Sequence, residues 1–101
     1  MREIKFRAWN RQMNRMEYFG LGDTVPYYYD ENSNAIRYEV MQYTGLHDKN
    51  GKKAYSQDIA SDGINPPFVI DLWNFPLMVR LSEIEFEIIG DIYSTPELLN
   101  K

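Results

Sequence analysis

Residues 35–44 read Ala35-Ile-Arg-Tyr-Glu-Val-Met-Gln-Tyr-Thr44 and run directly into Gly45-Leu-His-Asp-Lys-Asn-Gly51. In the first segment Ile36, Tyr38 and Val40 alternate with Arg37, Glu39, Met41 and Tyr43, the period of a strand with two different faces. The second segment carries turn chemistry, because Asn50-Gly51 tolerates positive φ at both positions. Lys53 to Ile59 then supplies a returning strand. Strand, turn and strand in unbroken succession point to a mainly β chain.

The same pattern extends in both directions. Toward the N-terminus, Ile4, Phe6 and Ala8 alternate with Glu3, Lys5, Arg7 and Trp9, which places the charged set on a wet face. Asn10 to Asn14 is polar and turn-like, and Arg15 to Phe19 returns as the second strand of a hairpin. Gly20 to Pro26 reads as a loop, Tyr27 to Tyr29 as a short aromatic run, and Asp30 to Asn34 as its end. Toward the C-terminus, Asp62 to Pro67 is a break. Phe68 to Trp73 and Leu77 to Leu81 are apolar enough for buried strands, with a short helix as the alternative for so brief a run. Ile84, Phe86 and Ile88 alternate with Glu83, Glu85 and Glu87, which predicts a strand reaching about Tyr93. Ser94 to Leu99 opens a helix: a hydroxyl cap, Pro96 in the first turn and Glu97 against the dipole. The expected architecture is one domain over residues 1–101, α+β at most. It is a small twisted antiparallel sheet or partly open barrel with a short C-terminal helical turn.

Composition narrows the function classes. An apolar fraction of 44% is enough for a packed core and too high for a disordered chain. Cysteine is absent, which removes disulfides and thiolate metal sites. Neither an apolar signal-peptide core nor a run long enough to cross a bilayer is visible, so a cytoplasmic protein without a membrane partner is expected. The net charge of −4 weighs against non-specific nucleic-acid binding. That mean hides an asymmetry: Arg2, Lys5, Arg7, Arg11 and Arg15 make the start basic, while Glu83, Glu85, Glu87, Asp91 and Glu97 make the end acidic. Side-by-side segments that neutralise each other are the simplest reading.

No catalytic constellation stands out. His47, the single histidine, falls in the predicted turn, and Gly20-Leu-Gly22 lacks the third glycine of a dinucleotide loop. No cofactor is expected. Glu83, Glu85 and Glu87 share one strand face, but at roughly 6.5–7 Å spacing they do not ligate one cation unaided. They read as a charged edge, or as an ion-pair ladder against Lys5 and Arg7. The basic opening strand offers the other candidate surface, with Trp9 to stack on a base and Lys5, Arg7 and Arg11 to meet phosphates. Tyr43 joins these residues as a candidate contact for a partner.

Three segments taken together carry a resemblance. They are Arg2-Glu-Ile-Lys-Phe-Arg-Ala-Trp9, then Met41-Gln-Tyr-Thr-Gly-Leu46 through Asp48-Lys-Asn-Gly51 to Asp58-Ile59, and Ile88-Ile-Gly-Asp-Ile-Tyr93 with Thr95-Pro-Glu-Leu-Leu99. In this order the chain resembles the YopX-like family of phage and prophage proteins. The resemblance implies a small, mainly β domain whose motifs are architectural, with no catalytic residues to carry over. Family members have an acidic residue and a glycine before the Asp-Ile pair, where this chain has Ser56-Gln57. Where that glycine supplies a positive φ, Gln57 strains or reshapes the turn. The short stretch after Asp58, with Pro66-Pro67 inside it, implies an abbreviated sheet there.

The functional expectation is a phage-encoded, non-enzymatic interaction module that binds a host or phage protein, with a counter-defence or regulatory inhibitor as one subtype. A nucleic-acid-binding protein using the N-terminal strand is the alternative, and a homo-oligomer is compatible with either.

Overall fold

The computed structural model describes residues 4–23, 27–29, 31–37 and 39–99. The N-terminal alternation forms a hairpin of β1 (Lys5–Asn10) and β2 (Arg15–Gly20), paired antiparallel from Lys5↔Gly20 to Asn10↔Arg15 without a break in register. Buried Asn10 holds the turn, its Oδ1 accepting from the backbone N–H groups of Gln12 and Met13.

The stretch at 35–44 is divided between two sheets and is not one strand. β3 (Tyr27–Tyr29) and β4 (Ala35–Arg37) form a two-stranded ribbon of their own. β5 (Val40–His47) begins afresh and pairs with β1 at Arg7↔Met41 and its neighbours. It then pairs with β6 (Lys53–Tyr55) at Tyr43↔Tyr55 and His47↔Lys53, with a register shift between. Gly45, expected to start the turn, lies inside β5 at φ +90° within that irregular stretch, a conformation glycine adopts without steric cost. The order β2-β1-β5-β6 is antiparallel throughout and curls into a half-barrel.

A second sheet follows in the order β8-β7-β9, built from β7 (Asp58–Ser61), β8 (Phe68–Val69) and β9 (Glu87–Asp91). Three expected strands change here, the one at 68–73 shrinking to the two residues of β8. The segment at 77–81 belongs to α1 (Phe75–Leu81): Asn74 accepts from the Leu77 N–H at 3.2 Å, and Pro76 sits in the first turn, where its missing N–H costs nothing. The strand expected from Glu83 starts only at Glu87. A 3₁₀ turn at Pro96–Leu99 is the expected terminal helical turn.

The core lies between α1 and the second sheet, where Ala54, Ala60, Ile70, Leu81, Phe86 and Ile88 are buried together. Gln57, between β6 and β7, is tied to the segments that follow β8 and β9. Its N–H donates to the Ile70 carbonyl at 2.8 Å and its carbonyl accepts from the Ile92 N–H at 3.1 Å. Tied on both sides, it is held at φ 71°. Removing the Cβ relieves that conformation, while glycine's extra freedom in the unfolded chain offsets part of the gain. Gln57→Gly is therefore expected to stabilise the fold by about 1 kcal/mol, measured as a higher urea midpoint.

Candidate functional site

The cleft of interest exists because β5 changes partner. It pairs with β1 only as far as Gln42 and then follows β6, so the start of β1 and the body of β6 diverge. Between them opens a cleft of about 560 Å³. Tyr55 from β6 and Arg7 from β1 form its floor, Tyr18 and Phe19 from β2 one wall, and Lys5, Lys52 and Lys53 its rim. Gly20 stands opposite Lys5 in the hairpin and brings no side chain to the mouth.

The floor is a tight polar and aromatic assembly. The Arg7 guanidinium lies 4.7 Å from the Tyr55 ring centroid, close enough for a cation–π contact. Its Nη2 donates to Asp58 Oδ1 at 2.6 Å and to the Ser56 carbonyl at 3.4 Å. Asp58 Oδ2 in turn accepts from the Tyr55 N–H at 2.8 Å. Both charged side chains are almost wholly buried, at 4% and 2% exposure. Burial pushes the Asp58 carboxyl above its ordinary value, and the Arg7 charge with the Tyr55 N–H pulls it part of the way back. Among the described residues Arg7 Nε has no hydrogen-bond partner.

Aromatic packing continues outward from the floor. The Tyr55 ring meets Tyr18 edge-on at 5.7 Å and Tyr43 at 5.6 Å, and Phe6 stacks on Phe19 at 5.6 Å. Tyr18 keeps 63% of its surface exposed at the mouth. Lysine cations beside exposed aromatic surface suit a ligand that is both acidic and partly apolar.

The sequence-predicted residues scatter relative to this site. Lys5 lies on the rim, but Arg7 is not on a wet face, because the curled sheet folds its side chain under Tyr55. Tyr43 is buried, and Lys53 Nζ stands 5.8 Å from its ring centroid, so Tyr43 backs the rim from behind. Trp9 is half-buried and stacks on Tyr93 at 6.0 Å. Arg11 is exposed and pairs with Glu39 at 3.0 Å. Glu39 also accepts from the Tyr93 hydroxyl, whose pKa is pushed up to about 12 by burial and by this carboxylate.

The acidic residues gather elsewhere. Glu83 and Glu85 precede β9, and only Glu87 is in it, accepting from Asn50 Nδ2 at 3.3 Å. The ladder expected between Lys5, Arg7 and the three glutamates does not form: β1 is flanked by β2 and β5, and β9 pairs with β7. Among the described residues no group of three or more His, Asp or Glu is placed to hold a metal ion. Sequence reasoning passed over Tyr18, Lys52, Lys53 and Tyr55. The adjacent lysines after Asn50-Gly51 were the available signal, since a hairpin turn presents such a pair at a sheet end.

The model of the YopX protein family matches residues 5–75. The chain belongs to the YopX family. Within this YopX chain the opening motif and the Asp-Ile pair, distant in sequence, meet as the buried Arg7–Asp58 ion pair. A crystal structure of protein EF1440 from Enterococcus faecalis has a similar fold. The TM-score is 0.56 at 22% identity, over 95% of this chain and 97% of that one. Among curated proteins, none matches. No helix among the described residues is long and apolar enough to cross a membrane.

Proposed function

We propose that this YopX-family chain is a non-enzymatic interaction module of phage origin, acting inside the bacterial cell. It binds an acidic, partly apolar segment of a host or phage protein in the cleft between β1–β2 and β6. The observation that carries this reading is the cleft's composition. Three lysines rim a hollow of about 560 Å³ walled by aromatic rings, in a chain whose net charge is −4. Concentrated cations in an acidic protein steer an acidic partner to one place, and apolar walls supply contact area once it arrives.

The test is capture of proteins from nuclease-treated host lysate by the tagged protein and two charge variants. Lys52→Glu with Lys53→Glu is expected to weaken capture about tenfold or more, because it reverses the rim. Lys49→Glu, an exposed lysine outside the cleft, leaves capture unchanged. Capture that survives rim reversal, or that falls equally with Lys49→Glu, overturns the reading.

One observation favours nucleic acid as the second reading: exposed Tyr18 beside lysines is also a platform for stacking a base. Binding of a labelled single-stranded oligonucleotide that weakens steeply with salt and is lost on rim reversal selects it.

A further inference from the structure

β2 is an outer strand of the half-barrel, and its outer side carries free backbone groups. Gly20 turns its peptide groups away from β1: its N–H donates to Asp23 Oδ2 at 2.7 Å and its carbonyl accepts from the Asp23 N–H at 3.2 Å. In an antiparallel ladder, residues facing the partner alternate with residues facing away. With the β1–β2 register unbroken, the N–H and C=O of Met16 and Tyr18 therefore also point outward. No hydrogen bond among the described residues satisfies these groups.

Among the described residues the other edges of the two larger sheets are closed or short. β6 has three residues, and its Tyr55 N–H is held by Asp58. β8 has two residues. On β9 the Ile88 N–H is taken by Asp48 Oδ2 and the Asp91 N–H by Thr95 Oγ1. β2 has six residues, no proline and no bulge, so the charges of Arg15 and Glu17 are what it carries of the usual devices that stop an edge from pairing.

We infer that two copies of this chain pair antiparallel along β2, with Met16 opposite Tyr18 of the partner subunit. A two-fold axis at Glu17 makes the contact self-complementary. Each Met16 exchanges both backbone bonds with the opposing Tyr18, which satisfies all the outward groups of both residues at once. On the face that carries Arg7 and Tyr55, the exposed Tyr18 ring packs against the opposing half-buried methionine. On the other face the two Glu17 carboxylates meet. Each is already held by Asn10 Nδ2 at 2.9 Å and by Arg15 Nε at 3.2 Å, and the opposing Arg15 lies on the diagonal. Pairing along β2 is independent of what the cleft holds.

Sedimentation equilibrium decides it, using the full chain. The wild type is expected to sediment as a dimer. Met16→Pro removes only an outward N–H of an outer strand, and is expected to raise the dissociation constant about tenfold or more by removing two bonds per dimer. Met16→Ala keeps that N–H and remains a dimer. Should Met16→Pro fail to melt cooperatively, amide exchange on the wild type serves instead, with the Met16 and Tyr18 amides slowing as concentration rises. A wild type that stays monomeric at its highest attainable concentration overturns the pairing. So does a folded Met16→Pro that dimerises as tightly as the wild type, or exchange at those two amides that is independent of concentration.

Discussion

Arg7→Met is expected to lower folding stability by about 3–5 kcal/mol, because it leaves the Asp58 carboxylate buried without its counter-charge. Asp58 keeps one donor, the Tyr55 N–H, and loses the guanidinium at 2.6 Å. Tyr55 loses its cation–π contact at the same time. The effect depends on pH, and its direction follows from the remaining groups. Burial already raises the Asp58 pKa in the folded state, and without Arg7 it rises further above the unfolded value of about 3.9. A carboxyl raised on folding binds more protons in the native state, so stability falls as pH climbs through the window between the two values. The deficit of Arg7→Met is therefore largest at neutral pH and shrinks toward pH 4, as read from urea unfolding across that range.

The double variant Arg7→Met with Asp58→Leu separates charge from packing. A buried ion pair gains little over apolar residues of similar volume once both partners are replaced. This pair also carries an unsatisfied Nε that the double variant removes. Recovery of about half the loss or more is expected, the remainder being the Tyr55 N–H that Asp58 no longer accepts from. A double variant as unstable as the single one would show that the site depends on shape and not on charge.

The contrast between Arg7 and the turns shows what one sequence carries. The β1–β2 hairpin and the Asn50-Gly51 turn were legible because their causes are local: period-two alternation, and residues that tolerate positive φ. Gln57 was singled out by the resemblance, which puts it where family members have glycine and leaves it to strain or reshape the turn; it takes the strained course, at φ 71°. Arg7 was misplaced because alternation assigns a residue to a face without saying what covers the face. The cover is Tyr55, with Asp58 as ionic partner, both far along the chain. α1 was ambiguous because so short a run as Leu77 to Leu81 fits either period, and the Asn74 cap that starts the helix went unread. Glu83 to Glu87 alternated like a strand, yet only Glu87 found a pairing partner in β7. The cleft was the least legible feature. It follows from β5 leaving β1 for β6, a change of neighbour that no local period encodes.

Asp48→Ala is expected to cost about 3–5 kcal/mol, since one buried carboxylate satisfies three backbone donors. Oδ1 accepts from the N–H groups of Asn50 and Lys52 at 2.9 Å each, which shapes the turn that carries Lys52 and Lys53. Oδ2 accepts from the Ile88 N–H at 3.0 Å, tying that turn to β9. Burial pushes the Asp48 pKa up, but the N–H groups of Ile88, Lys52 and Asn50, with the Lys52 charge, outweigh it and hold the carboxyl below its ordinary value. A carboxyl lowered on folding contributes stability that is present above the unfolded value of about 3.9 and lost as pH falls through the folded one. Asp62, held at about 2 mainly by the Asn65 backbone and side chain, titrates in the same acid range. A wild-type acid curve alone therefore does not isolate Asp48. Asp48→Asn does, because it keeps an oxygen for the turn, sets an amide against the Ile88 N–H and carries no titrating proton. Melting temperatures of the two proteins are expected to differ by a constant amount above about pH 5 and to converge below about pH 4, as the wild type loses what the variant never had. A gap that persists unchanged into acid would mean that Asp48 acts through its shape alone, and that the turn behind the cleft owes nothing to its charge.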